Sequence, residues 1–148
     1  MKAVVQRVLK ASVKVDHQIV GSIDKGYMIL LGIKDDDNQE EAQYLSRKIA
    51  NLRIFEDSQG KMNQSIIEVA GSILLISQFT LYGNTMDGNR PSFTEAAKPE
   101  TAIPLYQTMI DLLSLKFNIP VSTGIFGANM EVELINDGPC TIILESRK

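Results

Sequence analysis

The sequence predicts an α/β chain of the α+β type, with a mostly antiparallel, barrel-like sheet and two main helices packed on one side of it. Three observations carry this. Period-two alternation marks both ends of the chain, two continuous apolar runs of strand length lie between them, and only two stretches place apolar residues at helical spacing. At 148 residues the chain is expected to form one domain spanning 1–148, large enough to bury roughly 68–70% of the surface its unfolded form exposes. It contains no internal repeat, low-complexity segment or linker-like stretch.

The N-terminal third places Val4, Gln6 and Val8 on one side and Val5, Arg7 and Leu9 on the other, followed by Val13 and Val15. Three strands are expected before residue 25. "GYMILLGI" (26–33) is apolar throughout, which predicts a strand covered on both faces. "DDDNQEEAQYLSRKIANL" (35–52) reads as a helix, with Asp37 as cap, Glu40 completing a capping box, and Ala42, Leu45, Ile49 and Leu52 forming one stripe. The polar stretch 56–65, with Gly60, predicts a loop or hairpin turn. "SILLISQFTL" (72–81) predicts a second buried strand. A second helix is expected from Thr101 to Phe117, with Ala102, Leu105, Met109 and Leu112 inward and Pro104 in its first turn. "MEVELIN" and "TIILES" predict two closing strands that flank the turn "NDGPCT" (136–141).

A net charge of -3 opposes a protein that coats nucleic acid through its overall field, while leaving a local contact with an RNA end open. Lys2, Arg7, Lys10 and Lys14 are read as a strand face turned to water. The single cysteine, Cys140, forms no internal bridge, and no Cys/His cluster has zinc spacing. With no signal-like start and no long apolar run, a soluble, cytoplasmic protein without membrane contact is expected.

The lone histidine, His17, is read as a solvated strand residue, so no Ser-His-Asp or Cys-His arrangement has a base available elsewhere. No HExxH, P-loop or GxGxxG occurs. "DDD" (35–37) is read as helix capping and favourable dipole charge rather than a cation site. "SQFT" (77–80) puts polar side chains after a buried strand, which fits either the rim of a pocket or a fraying strand end. "GNRPSF" (88–93) holds Arg90 in a loop, where a guanidinium suits phosphate or carboxylate.

Together, "QRV" (6–8), "SQFTLYG" (77–83), "NRPSF" (89–93), "TGIFGANM" (123–130) and "NDGPCT" (136–141) resemble the D-aminoacyl-tRNA deacylase family, in the right order and at matching length. The resemblance implies a homodimer that hydrolyses the ester between a D-amino acid, or glycine, and the 3′-terminal adenosine of tRNA, as chiral proofreading, with no cofactor or metal. It implies that Gly138 and Pro139 form a cis pair inserted into the partner's active site. There backbone carbonyls would exclude an L side chain while admitting a D-amino acid. By the same resemblance Arg7 holds that turn through its backbone carbonyls, with Asn136 beside it. Ser77, Gln78, Phe79 and Thr80 form the pocket floor, with Met130 nearby. Thr80 is read as a positioning residue rather than a nucleophile, because no histidine is available to activate it. Arg90 is a candidate tRNA contact. Cys140 stands where aliphatic residues are common in the family, and is expected to bury in the same way. The competing readings are a non-catalytic RNA-end-binding protein and a hydrolase of another acyl ester.

Overall fold

The computed structural model describes residues 1–146; residues 147 and 148, included in the predicted domain, lie outside the described residues. The elements run β1 (Lys2–Val15), β2 (Gln18–Ile23), β3 (Gly26–Gly32), α1 (Gln39–Asn51), β4 (Phe55–Glu56), β5 (Met62–Gln64), β6 (Ser72–Ser77), a 3₁₀ turn (Phe79–Tyr82), α2 (Pro99–Asp111), a π turn (Leu112–Lys116), β7 (Val121–Thr123) and β8 (Glu131–Glu145).

The main sheet has the order β2-β1-β3-β6-β7, and β8 pairs with β1. It is mixed rather than mostly antiparallel: β1 is antiparallel to β2, β3 and β8, but β3–β6 and β6–β7 are parallel. The reason lies in the connections. Each parallel pair is joined through a helix, and a helical crossover returns the chain in the same direction. The ends of the sheet approach each other, where Ser122 Oγ donates to the Ser22 carbonyl at 3.3 Å, giving the near-barrel form.

Two strands, not three, precede residue 25, because β1 runs unbroken for 14 residues. Irregular pairing with β8 between Gln6 and Lys10 lets β1 change which face it buries. Ala3 and Val5 join the core beneath the helices, whereas Val8, Ala11 and Val13 join a second cluster inside the barrel. β3 and β6 serve both: Tyr27, Ile29, Leu31, Ile73 and Leu75 face the helices, while Met28, Leu74 and Ile76 face inward. Their continuous apolar runs follow from burial on two sides.

The cap of α1 is Asn38, not Asp37. Its side chain accepts from the Glu40 N–H at 2.8 Å, and Glu41 returns the bond to the Asn38 N–H at 2.7 Å, so the capping box lies one residue beyond the predicted one. Asp37 is drawn elsewhere, accepting from the Lys34 N–H at 2.7 Å and from the Met1 ammonium at 2.8 Å. α2 begins at Pro99, a favourable first helical residue, which puts Pro104 inside the helix rather than in its first turn. Its C-terminal end widens into the π turn, closed by the Phe117 N–H on the Leu112 carbonyl at 3.2 Å. β8 is one strand across 131–145, but residues 137–140 have no partner on β1, so the expected turn at 136–141 is an excursion within one strand rather than a connection between two. The 56–65 stretch is a hairpin: residues 57–61 turn the chain from β4 into β5, which pairs with it antiparallel. No helix of the described residues is long and apolar enough to cross a membrane.

Candidate active site

β3 and β6 end side by side, and a cleft of about 260 Å³ opens beyond their carboxyl ends. Leu31 and Ile76 line it from the strands, Ser77, Gln78 and Phe79 from the end of β6, Ala102 from α2, and Phe126 and Met130 from the segment before β8. None of the residues lining this cleft is ionisable. Its surface is apolar with a few hydrogen-bonding groups, the usual character of a small-ligand site.

β6 stops at Ser77 instead of continuing to residue 81, because the Gln78 N–H still bonds the Leu31 carbonyl at 2.8 Å and the chain then turns. The Leu81 N–H closes the 3₁₀ turn on the Gln78 carbonyl at 3.3 Å. The N–H groups of Phe79 and Thr80 open this turn, where a helical turn offers its first donors no internal acceptor. The predicted alternation of faces therefore ends at Ser77. Gln78 Nε2 donates to Thr80 Oγ1 across the turn, and Thr80 is exposed rather than part of the cleft wall.

Behind the cleft, Tyr106 of α2 donates its hydroxyl to the Leu75 carbonyl at 2.5 Å and packs its ring 5.9 Å from that of Phe126. Burial raises the Tyr106 hydroxyl well above the ordinary tyrosine range, which keeps it a neutral donor. Met130 reaches the cleft because residue 124 is glycine: a β-carbon there would lie 2.4 Å from the Met130 sulfur. Ala102 was expected only as an inward helix residue, and Gly124 and Phe126 lie inside the quoted 123–130 motif without being named as site residues. Small and apolar residues in a cleft wall look like core residues when read along a chain.

The 136–141 turn lies apart from this cleft; none of its residues lines the cleft wall. Arg7 is buried, contrary to the solvated face expected of it, and it grips the turn from below. Its Nε donates to the Asp137 carbonyl at 3.0 Å and its Nη1 to the Ile54 carbonyl at 2.6 Å. The carbonyl it holds in the turn is thus that of Asp137, one residue before the Gly-Pro pair. Asn136 accepts from the Cys140 N–H at 2.9 Å and donates to Thr141 Oγ1 at 3.0 Å. The Gly138–Pro139 peptide is cis, both residues are exposed, and Gly138 has φ +138°. Cys140 is buried beneath them.

Arg90 lies outside the cleft, in a polar concavity it shares with Asn84, Asp87 and Thr94. His17 is in the β1–β2 turn rather than a strand, with φ +64° and its side chain in solvent. Among the described residues no group of His, Cys, Asp and Glu is arranged to hold a metal ion.

A family model described as D-Tyr-tRNA(Tyr) deacylase matches residues 4–145. The D-aminoacyl-tRNA deacylase of Fervidobacterium nodosum is 55% identical over 148 residues, covering 100% of this chain and 99% of that protein. The protein of the same name from Flavobacterium psychrophilum is 55% identical over 147 residues, covering 99% and 98%. A solved structure named c-Myc DNA Unwinding Element Binding Protein superposes with a TM-score of 0.95 at 43% identity, over 100% of both chains. Another, described as a probable eukaryotic D-amino acid tRNA deacylase, has a TM-score of 0.83 at 16% identity over 97% and 98%, and shares the fold. Matched along nearly its whole length, this chain belongs to the D-aminoacyl-tRNA deacylase family and is a hydrolase.

Proposed function

We propose that the chain, as one domain and working as a homodimer, hydrolyses the ester between a D-amino acid or glycine and the 3′-terminal adenosine of tRNA. The observation that carries this reading is a cleft with hydrogen-bonding groups at one end and no ionisable side chain in its wall. Such a cleft offers no general base of its own, so the chemistry falls to water, the substrate and the backbone. A water oxygen attacks the ester carbonyl carbon, the bond to the ribose 3′-oxygen breaks, and that oxygen leaves with a proton. The neighbouring ribose 2′-hydroxyl orients the water and relays the proton. The N–H groups of Phe79 and Thr80, at the open start of the 3₁₀ turn, receive the oxyanion that develops on the carbonyl. Thr80 accepts a hydrogen bond from Gln78 and has a positioning role.

Selection falls to the Gly138–Pro139 turn of a second copy. In a single chain this turn is exposed and separate from the cleft, so a partner must supply it for it to meet the substrate. Its carbonyls would clash with an L side chain, whereas glycine, having none, would pass. A thousandfold preference requires only about 4 kcal/mol. The overall negative charge gives no support to transferring the DNA-binding name of the similar structure to this chain.

The mechanism is tested with Thr80→Ala and with tRNA ending in 2′-deoxyadenosine. Thr80→Ala is expected to keep turnover of D-tyrosyl-tRNA within about 100-fold of the parent, while loss of the 2′-hydroxyl costs more, since general acid–base assistance contributes about 10²–10⁴-fold. Abolition of turnover by Thr80→Ala together with full activity on the deoxy end would reverse the assignment.

A further inference from the structure

Phe79 and Phe93 are both exposed, at 57% and 37%, and form an edge-to-face pair with ring centroids 5.1 Å apart and an interplanar angle of 73°. Phe79 also lines the cleft, but Phe93 does not, so the pair begins at the cleft mouth and continues onto the surface. The Phe93 ring is seated on backbone: a β-carbon at Gly83 would lie 3.0 Å from Phe93 Cε1. Its loop is held at the base by reciprocal bonds, Asn84 N–H to Ser92 carbonyl at 2.8 Å and Ser92 N–H to Asn84 carbonyl at 2.9 Å. The same loop carries Arg90 and the polar concavity lined by Asn84, Asp87, Asn89, Ser92 and Thr94.

We propose that this pair is a stacking platform for the base of the nucleotide immediately 5′ to the terminal adenosine. The inference rests on the functional reading above, in which the cleft takes the ester and its adenosine. A single-stranded end leaving the cleft over Phe79 meets Phe93 next, and exposed aromatic rings beside hydrogen-bonding groups and a guanidinium are how proteins hold unpaired nucleotides. An apolar protein partner fits less well, because the loop that carries Phe93 also builds the polar concavity around Arg90. Stacking tolerates any base, and its effect is confined to one or two nucleotides. An acidic chain thereby gains a hold on an RNA end without a broad basic surface.

The test uses a short RNA ending in CCA, with 2-aminopurine in place of the penultimate base, and the Phe93→Leu variant, which keeps apolar bulk but removes the aromatic face. Binding to the parent chain is expected to quench the 2-aminopurine. Phe93→Leu should lose the quench and weaken Kd about 10-fold, the size of one base–aromatic stack. The rate on a D-aminoacyl-CCA ester relative to D-aminoacyl-adenosine should fall by a similar factor, about 10-fold. Absence of quench with the parent chain, a quench that survives in Phe93→Leu, or equal rate losses on both esters would overturn the platform. So would a change in sedimentation mass in Phe93→Leu with the quench intact, which would make the pair a protein interface. A Phe93-dependent quench with no hydrolysis of either ester would uphold the platform and refute the deacylase reading instead.

Discussion

Arg7 has the most constrained position of any charged side chain in the candidate machinery. It is 5% exposed, its fork is divided between the carbonyls of Asp137 and Ile54, and Asp137 Oδ2 lies 3.5 Å from its Nε. A buried guanidinium is tolerable only when its donors are matched, and here they tie the 136–141 turn to the chain leading into β4. A lysine, as a point charge, cannot reproduce a two-directional fork. Arg7→Lys is therefore expected to lower stability by about 2 kcal/mol, seen in thermal unfolding, and to reduce turnover of D-tyrosyl-tRNA by at least about 10-fold. Full turnover in a destabilised Arg7→Lys protein would show that the grip on the turn serves folding alone.

At the level of elements, the cap of α1 separates local from long-range causes. Asn38→Ala removes a side-chain acceptor from the first turn and is expected to cost about 1 kcal/mol, a shift in Tm of about 2–4 °C, with unaltered kcat. A loss of kcat at matched stability would mean that α1 also shapes the cleft. The sequence pointed to Asp37 for this cap because Glu40 stands three residues on, a purely local cue. The contact that displaces it, between Asp37 and the Met1 ammonium, spans 36 residues and leaves no local trace. The same distinction explains the rest. β3 and β6 were legible because burial on both faces writes an unbroken apolar run. The stop at Ser77 was not, since it depends on how the chain beyond β6 meets the Leu31 carbonyl of a neighbouring strand. The parallel pairing of β6 was likewise invisible to periodicity, which reports which face is buried but not which way a strand runs. In the candidate site, Ser77, Gln78, Phe79 and Met130 were legible through quoted motifs and do line one cleft. Ala102, read as a core residue of the second helix, and Phe126, inside the same 123–130 motif as Met130, were not read as cleft residues, because an apolar wall and an apolar core look alike along a chain.

For the whole molecule, charge and shape lead to distinct expectations. With a net charge of -3 and no cation in the cleft wall, the proposed function implies recognition of tRNA through few phosphate contacts. A plot of log kcat/KM against log salt should accordingly have a slope no steeper than about -3, corresponding to about three neutralised phosphates. A much steeper slope would reveal a basic surface that this reading lacks. β8 pairs with β1 on one side only, and a 15-residue edge strand is a surface that proteins seldom leave uncovered, which supports pairing of two copies. The central claim is that a partner's Gly138–Pro139 turn selects the D ester. Gly138→Ala strikes it directly: φ +138° disfavours a side chain, and an added β-carbon would lie 3.1 Å from Arg7 Nη2 and 3.0 Å from the Cys140 nitrogen. The decisive measurement is ester loss over time from matched D-tyrosyl-tRNA and L-tyrosyl-tRNA, with the parent chain and Gly138→Ala side by side. The expected result is rapid loss of the D ester alone with the parent, and a collapsed ratio of D to L rates with the variant. Equal loss of both esters with the parent, or an unchanged ratio with Gly138→Ala, would contradict the account.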